Sequence, residues 1–311
     1  MLTALLIVAR TVQIAASILL AGIFTFELVP LGLTGALPAS GDLRDVEQRL
    51  LRLAVWSLVA ALLSALLWFW LEIASMSGSL LTSVFSTMTW RTVLFETEFG
   101  RGWQLRLGLI LVTFAFAASG LGKDEVRRAL VLVLWLLSVV LLVSLAWISH
   151  AAAARVQPLG LLGDALHLCA AGGWLGGLAP LAIFLTRARS SFSLGERAAS
   201  VLQRFSLLSL FCVSVLVVSG ISNSWLLVGS IHALFTTPYG RLLVFKLALF
   251  GILIGFGARN QFVVKTKLLR APAGSDLLPQ LRHNVICEAC LGLAVVAIVA
   301  CLGVTPLAQH P

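Results

Sequence analysis

Apolar runs too long for an ordinary strand follow one another along nearly all of the 311 residues. Eight of them reach roughly 18 residues or more, the length at which a helix rising ~1.5 Å per residue crosses a ~30 Å hydrocarbon core. They cover Leu2–Leu31, Leu50–Ala74, Trp103–Gly120, Ala129–Ser149, Leu161–Thr186, Phe205–Gly229, Leu242–Ala258 and Val285–Val304. Strands of a membrane barrel would instead alternate polar and apolar residues over about ten positions. Hydrocarbon offers backbone N–H and C=O groups no water, so runs of this kind predict helices. The expected fold is all-α, a polytopic membrane helix bundle of about eight transmembrane helices, read as a single transmembrane domain over 1–311.

Composition supports the same frame, with 59% apolar residues, 11% charged and a mean hydropathy of +1.02. A soluble domain carries about 25% charged residues. The net charge of +9 is organised by loop. Arg44, Arg49 and Arg52 stand between or just inside runs one and two, and Lys123, Arg127 and Arg128 between three and four. Arg187, Arg189, Arg197 and Arg204 separate five and six, and Arg259, Lys265, Lys267, Arg270 and Arg282 separate seven and eight. The intervening connections hold few basic residues, so the positive-inside rule puts the basic ones in the cytoplasm and both termini on the periplasmic side. Basicity thus reports topology, and the expected surroundings are a lipid bilayer with no nucleic acid.

The first run starts near Met1 without a small-residue cleavage site after a short apolar core, and is read as a retained helix. The segment at about 75–102 carries Leu80, Leu81, Val84, Phe85, Met88 and Trp90, an amphipathic pattern expected to lie at the periplasmic interface. Ala271–Ser275, with Pro272 and Gly274, predicts a turn before the last helix. No tandem repeat stands out. All five cysteines fall inside predicted helices, outside any disulfide framework; Cys169 and Cys212 are read as small packing residues, while Cys287, Cys290 and Cys301 share one helix stripe whose role, packing or a path for monovalent copper, stays open.

Ionisable side chains inside a span cost roughly 2.5–3.5 kcal/mol on insertion scales, so they face the bundle interior and carry function or pair with one another. Several gather toward the outer face. Glu72 is near the outer end of span two, His150 at the outer end of span four, Asp164 and His167 in the first turns of span five, and His232 in the loop after span six. Asp164 and His167, three apart, share a helix face that Trp174 continues, and Asp164 is placed to orient the imidazole as carboxylates orient metal-bound histidines. Glu72, with Met76 four residues on, adds oxygen and thioether donors. Lys246 and Arg106, about one turn inside their spans, are expected to pair with Glu98, Asp164 or Glu72, because protonated Lys and Arg have no lone pair for a metal. Gly172-Gly173-Trp174-Leu175-Gly176-Gly177 reads as close helix packing.

Taken in order, Phe99-Gly100-Arg101-Gly102-Trp103 with Arg106, Ser149-His150-Ala151, and Asp164-Ala165-Leu166-His167 running into Gly173-Trp174-Leu175-Gly176-Gly177-Leu178 resemble the copper resistance protein D (CopD) family of bacterial inner-membrane proteins. Thr237-Pro238-Tyr239-Gly240-Arg241-Leu242-Leu243 with Lys246, and Glu288 with Leu291-Gly292, are similar too. The resemblance implies copper handling at the inner membrane, as uptake from the periplasm, with a separate periplasmic copper-binding protein C-type partner. It makes His150 and His167 the family's histidines, and Asp164, Trp174, Tyr239 and Arg241 motif residues. The expected copper ligands are therefore His150 and His167, with Glu72, Met76 and His232 as additional candidates. Only three methionines are present, so histidine and carboxylate carry the proposal and the copper oxidation state stays open. The alternative is a haem-binding redox protein using the same histidines. No phosphate-binding loop, His-Glu-x-x-His or Gly-x-Ser-x-Gly motif occurs, and no enzymatic activity is expected.

Overall fold

The computed structural model describes residues 1–32, 41–77, 87–119, 124–148, 157–261 and 277–306. The apolar runs fold as α1 (Leu2–Leu28), α2 (Gly41–Ser77), α4 (Glu98–Ser119), α5 (Asp124–Val143), α6 (Gln157–Ala188), α7 (Phe192–Val228), α9 (Pro238–Arg259) and α10 (Leu277–Leu302). Two short helices, α3 (Thr87–Glu96) and α8 (Ile231–Thr236), precede α4 and α9. Among the described residues seven helices are long and apolar enough to cross a membrane. The eighth apolar run folds as α5, whose apolar part, Arg128–Val143, is shorter than the other seven. The protein is an all-α polytopic membrane bundle.

The bundle is built twice from one plan, which the sequence reading missed. α2 and α7 have 37 residues each, and α4 and α9 have 22 each. α1 packs on α2 and α5 as α6 packs on α7 and α10, and α1 and α6 pack on each other at the centre. Their crossing is backbone on backbone: a Cβ on Gly22 would lie 2.0 Å from the Gly176 carbonyl carbon, and one on Gly176 would lie 2.1 Å from the Ile18 carbonyl oxygen. Only glycine permits that approach.

The entry into each half's third long helix repeats as well. Gly100 N donates to Thr97 Oγ1 (2.9 Å) at the start of α4, and Gly240 N to Thr237 Oγ1 (3.0 Å) at the start of α9. These are N-cap bonds that satisfy otherwise free helix donors. A Cβ on either glycine would collide with the carbonyls of the preceding short helix, Val93 O at 2.1 Å or Ala233 O at 2.4 Å. The repeat escapes a reading by residue identity because its signal lies in helix lengths, caps and a few spacings.

The halves differ where α2 meets α4. There Phe69 stacks on Trp103 at 4.4 Å between ring centroids, and Trp103 Nε1 donates to Ala65 O (2.8 Å). By the same spacing, α7 carries Gly220 and Ser224 in place of Ala65 and Phe69, and α9 carries Leu243 in place of Trp103. α2 packs along α4, whereas α7 touches α9 over only a short stretch. The missing volume becomes a cavity.

Candidate copper site in a chamber beside the central helix

The cavity has a volume of ≈ 1440 Å³ and is walled by α1, α6, α7, α9 and α10. It lies toward the end of the bundle where α6 and α9 begin, the outer end by the charge argument. Its walls are mostly apolar, with Asp164, His167, Ser219, Asn223, Tyr239 and Lys246 converging on one side and Arg10 on another. A large apolar cavity with a few convergent polar groups is the usual form of a binding site.

His167 sits ten residues into α6, ~15 Å from the helix start. Its Nδ1 lies 2.9 Å from Ser219 Oγ on α7. The single Ser219 hydroxyl proton is directed at the Val215 carbonyl, 2.6 Å away, so Ser219 accepts from Nδ1–H. That assigns the neutral tautomer with its lone pair on Nε2, the form in which imidazole binds a metal. Gly220, one residue on, adjoins the ring: a Cβ there would make ordinary contact with His167 Cε1 at 3.6 Å. Ser219 meets the ring at Nδ1, while Asp164, expected to orient it, accepts through Oδ1 from Asn223 Nδ2 (2.6 Å). Two side chains one turn apart on α7 thus hold two side chains one turn apart on α6.

The repeat makes the arrangement legible. Arg10, Gln13 and Gly22 on α1 have the spacing of Asp164, His167 and Gly176 on α6, and Ser64 and Trp68 on α2 that of Ser219 and Asn223 on α7. Ser64 Oγ donates to Gln13 Oε1 (2.5 Å), the counterpart of the His167–Ser219 pair. The Arg10 guanidinium lies over Trp68, 4.9 Å from the ring centroid, and interacts electrostatically with Glu72. One half thus carries Arg and Gln where the other carries Asp and His.

Arg106 and Lys246 are a corresponding pair with different partners. Arg106 is only 2% exposed and donates to Leu141 O (2.9 Å), Ser144 Oγ (2.6 Å) and Ser17 Oγ (3.2 Å). The expected carboxylate partners are engaged elsewhere: Glu98 pairs with Arg101, Asp164 bonds Asn223 and Glu72 answers Arg10. A guanidinium has five donors and can be met by hydroxyl and carbonyl dipoles from two helices. Lys246 lines the chamber near enough to Asp164 and His167 for its charge to act on both.

The other sequence candidates lie as follows. Tyr239 is buried, lines the chamber and interacts electrostatically with Asp164. Arg241 is exposed and donates through Nε to Phe235 O (3.2 Å). Trp174 is buried behind the chamber, edge-on to Phe250 at 6.2 Å. His232 is exposed on α8, and Glu72 is half-buried on α2; neither lines the chamber. His150 and the Met76 side chain lie outside the described residues. Among the described residues no three His, Cys, Asp or Glu side chains converge on a metal position. Sequence reasoning passed over Arg10, Ser219 and Asn223, although a lone Arg in the first apolar run and Ser-Asn-Ser near the end of the sixth were the available signals.

Helix count, buried charges and a chamber with polar lining define a polytopic membrane protein with an intramembrane cavity. Residues 1–157 match the family model for the copper resistance protein D-like N-terminal domain, and residues 199–302 that for copper resistance protein D. The chain belongs to the copper resistance protein D family. It is 30% identical to copper resistance protein D of Pseudomonas syringae pv. tomato over 67% of this chain and 68% of that one. It is 30% identical to inner membrane protein YebZ of Escherichia coli (strain K12), over 72% and 74%. With copper transport protein CutJ of Bacillus subtilis (strain 168) it shares 28% identity over 70% of this chain but 40% of the relative. No solved structure matches. Most of α6, with Asp164 and His167, falls between the two family matches.

Proposed function

We propose that the protein transports copper across the bacterial inner membrane, taking the ion up from the periplasmic side through the chamber. The observation that carries this reading is His167: a neutral imidazole with Nε2 available, in a membrane-embedded cavity of a copper resistance protein D family member. Relatives named for copper resistance and copper transport support it, and one named as an inner membrane protein supports the location. His150, seven residues before the start of α6, is the nearest other imidazole in the chain and completes the proposed ligand pair. Lys246 and Asp164 offset each other's charge beside the chamber, so neither is left as an uncompensated charge in hydrocarbon. A periplasmic copper-binding protein C-type partner would deliver the ion at the outer end.

The test is copper content, copper-dependent accumulation and optical spectrum for the parent and for His150→Ala, His167→Ala and the double variant at equal folded yield. Each single change is expected to lower binding and accumulation. An unchanged copper stoichiometry in the double variant would sink the site, and a Soret band lost with the histidines would favour haem.

A further inference from the structure

A second buried polar group lies on the cytoplasmic side of the chamber, outside its walls. Glu288 on α10 is 3% exposed, eleven residues and ~16 Å from the helix start. Asn260 Nδ2 donates to its Oε1, and Asn284 Nδ2 donates to Asn260 Oδ1 (2.7 Å). Three polar side chains from the end of α9 and from α10 thus form a chain where apolar residues would be expected. Asn260 follows the last residue of α9, and a Cβ on Gly257, one turn earlier, would stand 3.9 Å from Glu288 Oε2 and 3.7 Å from Trp174 Cζ2. The notch at Gly257 therefore lies between the carboxyl group and Trp174, whose ring meets Phe250, a residue of the chamber wall. Chamber, aromatic pair and carboxyl group follow one another toward the cytoplasm.

Among the described residues no cation pairs with the carboxylate. Arg259, Arg282 and His283 are exposed toward the ends of α9 and α10, Cys287 has His283 Nε2 at 3.7 Å, and Glu27 of α1 is buried toward the cytoplasmic end. On α6 the ionisable groups above this level, Asp164 and His167, lie two turns or more toward the outer end from Trp174, and α7 reaches the end of α9 through Ser206 and Gln261. Among the described residues the polar partner of Glu288 is the Asn260 amide. An ionised carboxylate buried in protein and held by a neutral amide is unfavourable, and protonation removes the charge without a bound ion. Carboxylate and amide oxygens are hard donors, poorly suited to monovalent copper.

We propose that Glu288, with Asn260 and Asn284, is a proton-binding site beneath the aromatic pair, and that its protonation and deprotonation couple copper movement to proton movement. The proposal rests on the copper-transport reading but concerns its driving force. The test uses the full chain in proteoliposomes with a trapped pH-sensitive dye, given cupric salt or copper with ascorbate, and follows copper entry and lumenal pH together. In the parent each copper pulse is expected to produce a pH change. Glu288→Gln, which keeps the acceptor for Asn260, is expected to abolish that change while binding copper with the parent's stoichiometry. Glu288→Asp, still titratable, is expected to restore part of it and serves if the Gln variant folds poorly. Copper entry in the parent without a pH change, or a Gln variant that keeps the full change, overturns the coupling and leaves the transport reading standing. Absence of copper binding to the parent would defeat that reading itself.

Discussion

At the residue scale, the chemistry of a buried side chain follows from which partners its neighbours leave free. His167 presents Nε2 because the Ser219 proton is committed to the Val215 carbonyl. Ser219→Ala frees the ring to rotate or change tautomer, and should lower copper affinity by roughly tenfold, the scale at which groups orienting metal-bound histidines act. Equilibrium copper titration checks this, and an unchanged affinity would remove Ser219 from the site. Arg106 shows the opposite use of a buried charge, as a clamp joining α4 to α1 and α5. Ser144→Ala leaves one guanidinium donor without its hydroxyl acceptor and should destabilise by about 1–3 kcal/mol. The readout is thermal unfolding in detergent, with copper stoichiometry unaffected. The sequence marked Arg106, Lys246 and His167 as residues with a reason to be buried, since charge and imidazole stand out in apolar runs. Which group each would meet was not legible, because partners such as Ser17 and Ser144 look like any other small residue of a membrane helix.

At the element scale, helix number and approximate bounds followed from hydrophobic length, a local property. Caps at Thr97 and Thr237 sharpen two of those bounds, and the Thr-x-x-Gly pattern they share is a physical signature of chain reversal into a membrane helix. How closely two helices approach is a property of the pair. The glycine-rich stretch of α6 was read as packing, and Gly176 against Gly22 bears that out. Gly22→Leu should therefore be far more damaging than an equal increase in volume on the lipid face. Overpacking in a closed core costs typically 1–3 kcal/mol, and here backbone would have to move. Folded yield after extraction, compared with Gly108→Leu on α4, where a Cβ meets nothing within 4 Å, is the measurement. Equal yields would mean that the central crossing tolerates separation.

At the scale of the whole molecule, one plan is used twice with a different filling. Aromatic packing closes α2 on α4, whereas small residues leave α7 and α9 apart around the chamber. Ser224→Phe gives α7 the residue that α2 has at Phe69, and should fill the chamber and strongly reduce copper accumulation while the fold is kept. Full accumulation in a well-folded variant would place the route elsewhere. Topology makes a separate forecast: single cysteines at Ser230 and Ser190, both exposed, should label from opposite sides of the membrane in a background without native cysteine, Ser230 from outside. By itself the sequence determined the bilayer frame and the approximate number and bounds of the helices, and from its basic loops and an outer-end histidine it set the expectations for sidedness and site. These depend on length, composition and charge along the chain, which no partner alters. Only the tertiary structure decided that the halves repeat, that Ser219 meets the His167 ring, and that Arg106 is met by hydroxyls and a backbone carbonyl. Each of those rests on which faces of distant helices meet, a choice made by the close Gly22–Gly176 crossing and by side-chain volume, and carried by no local stretch of sequence.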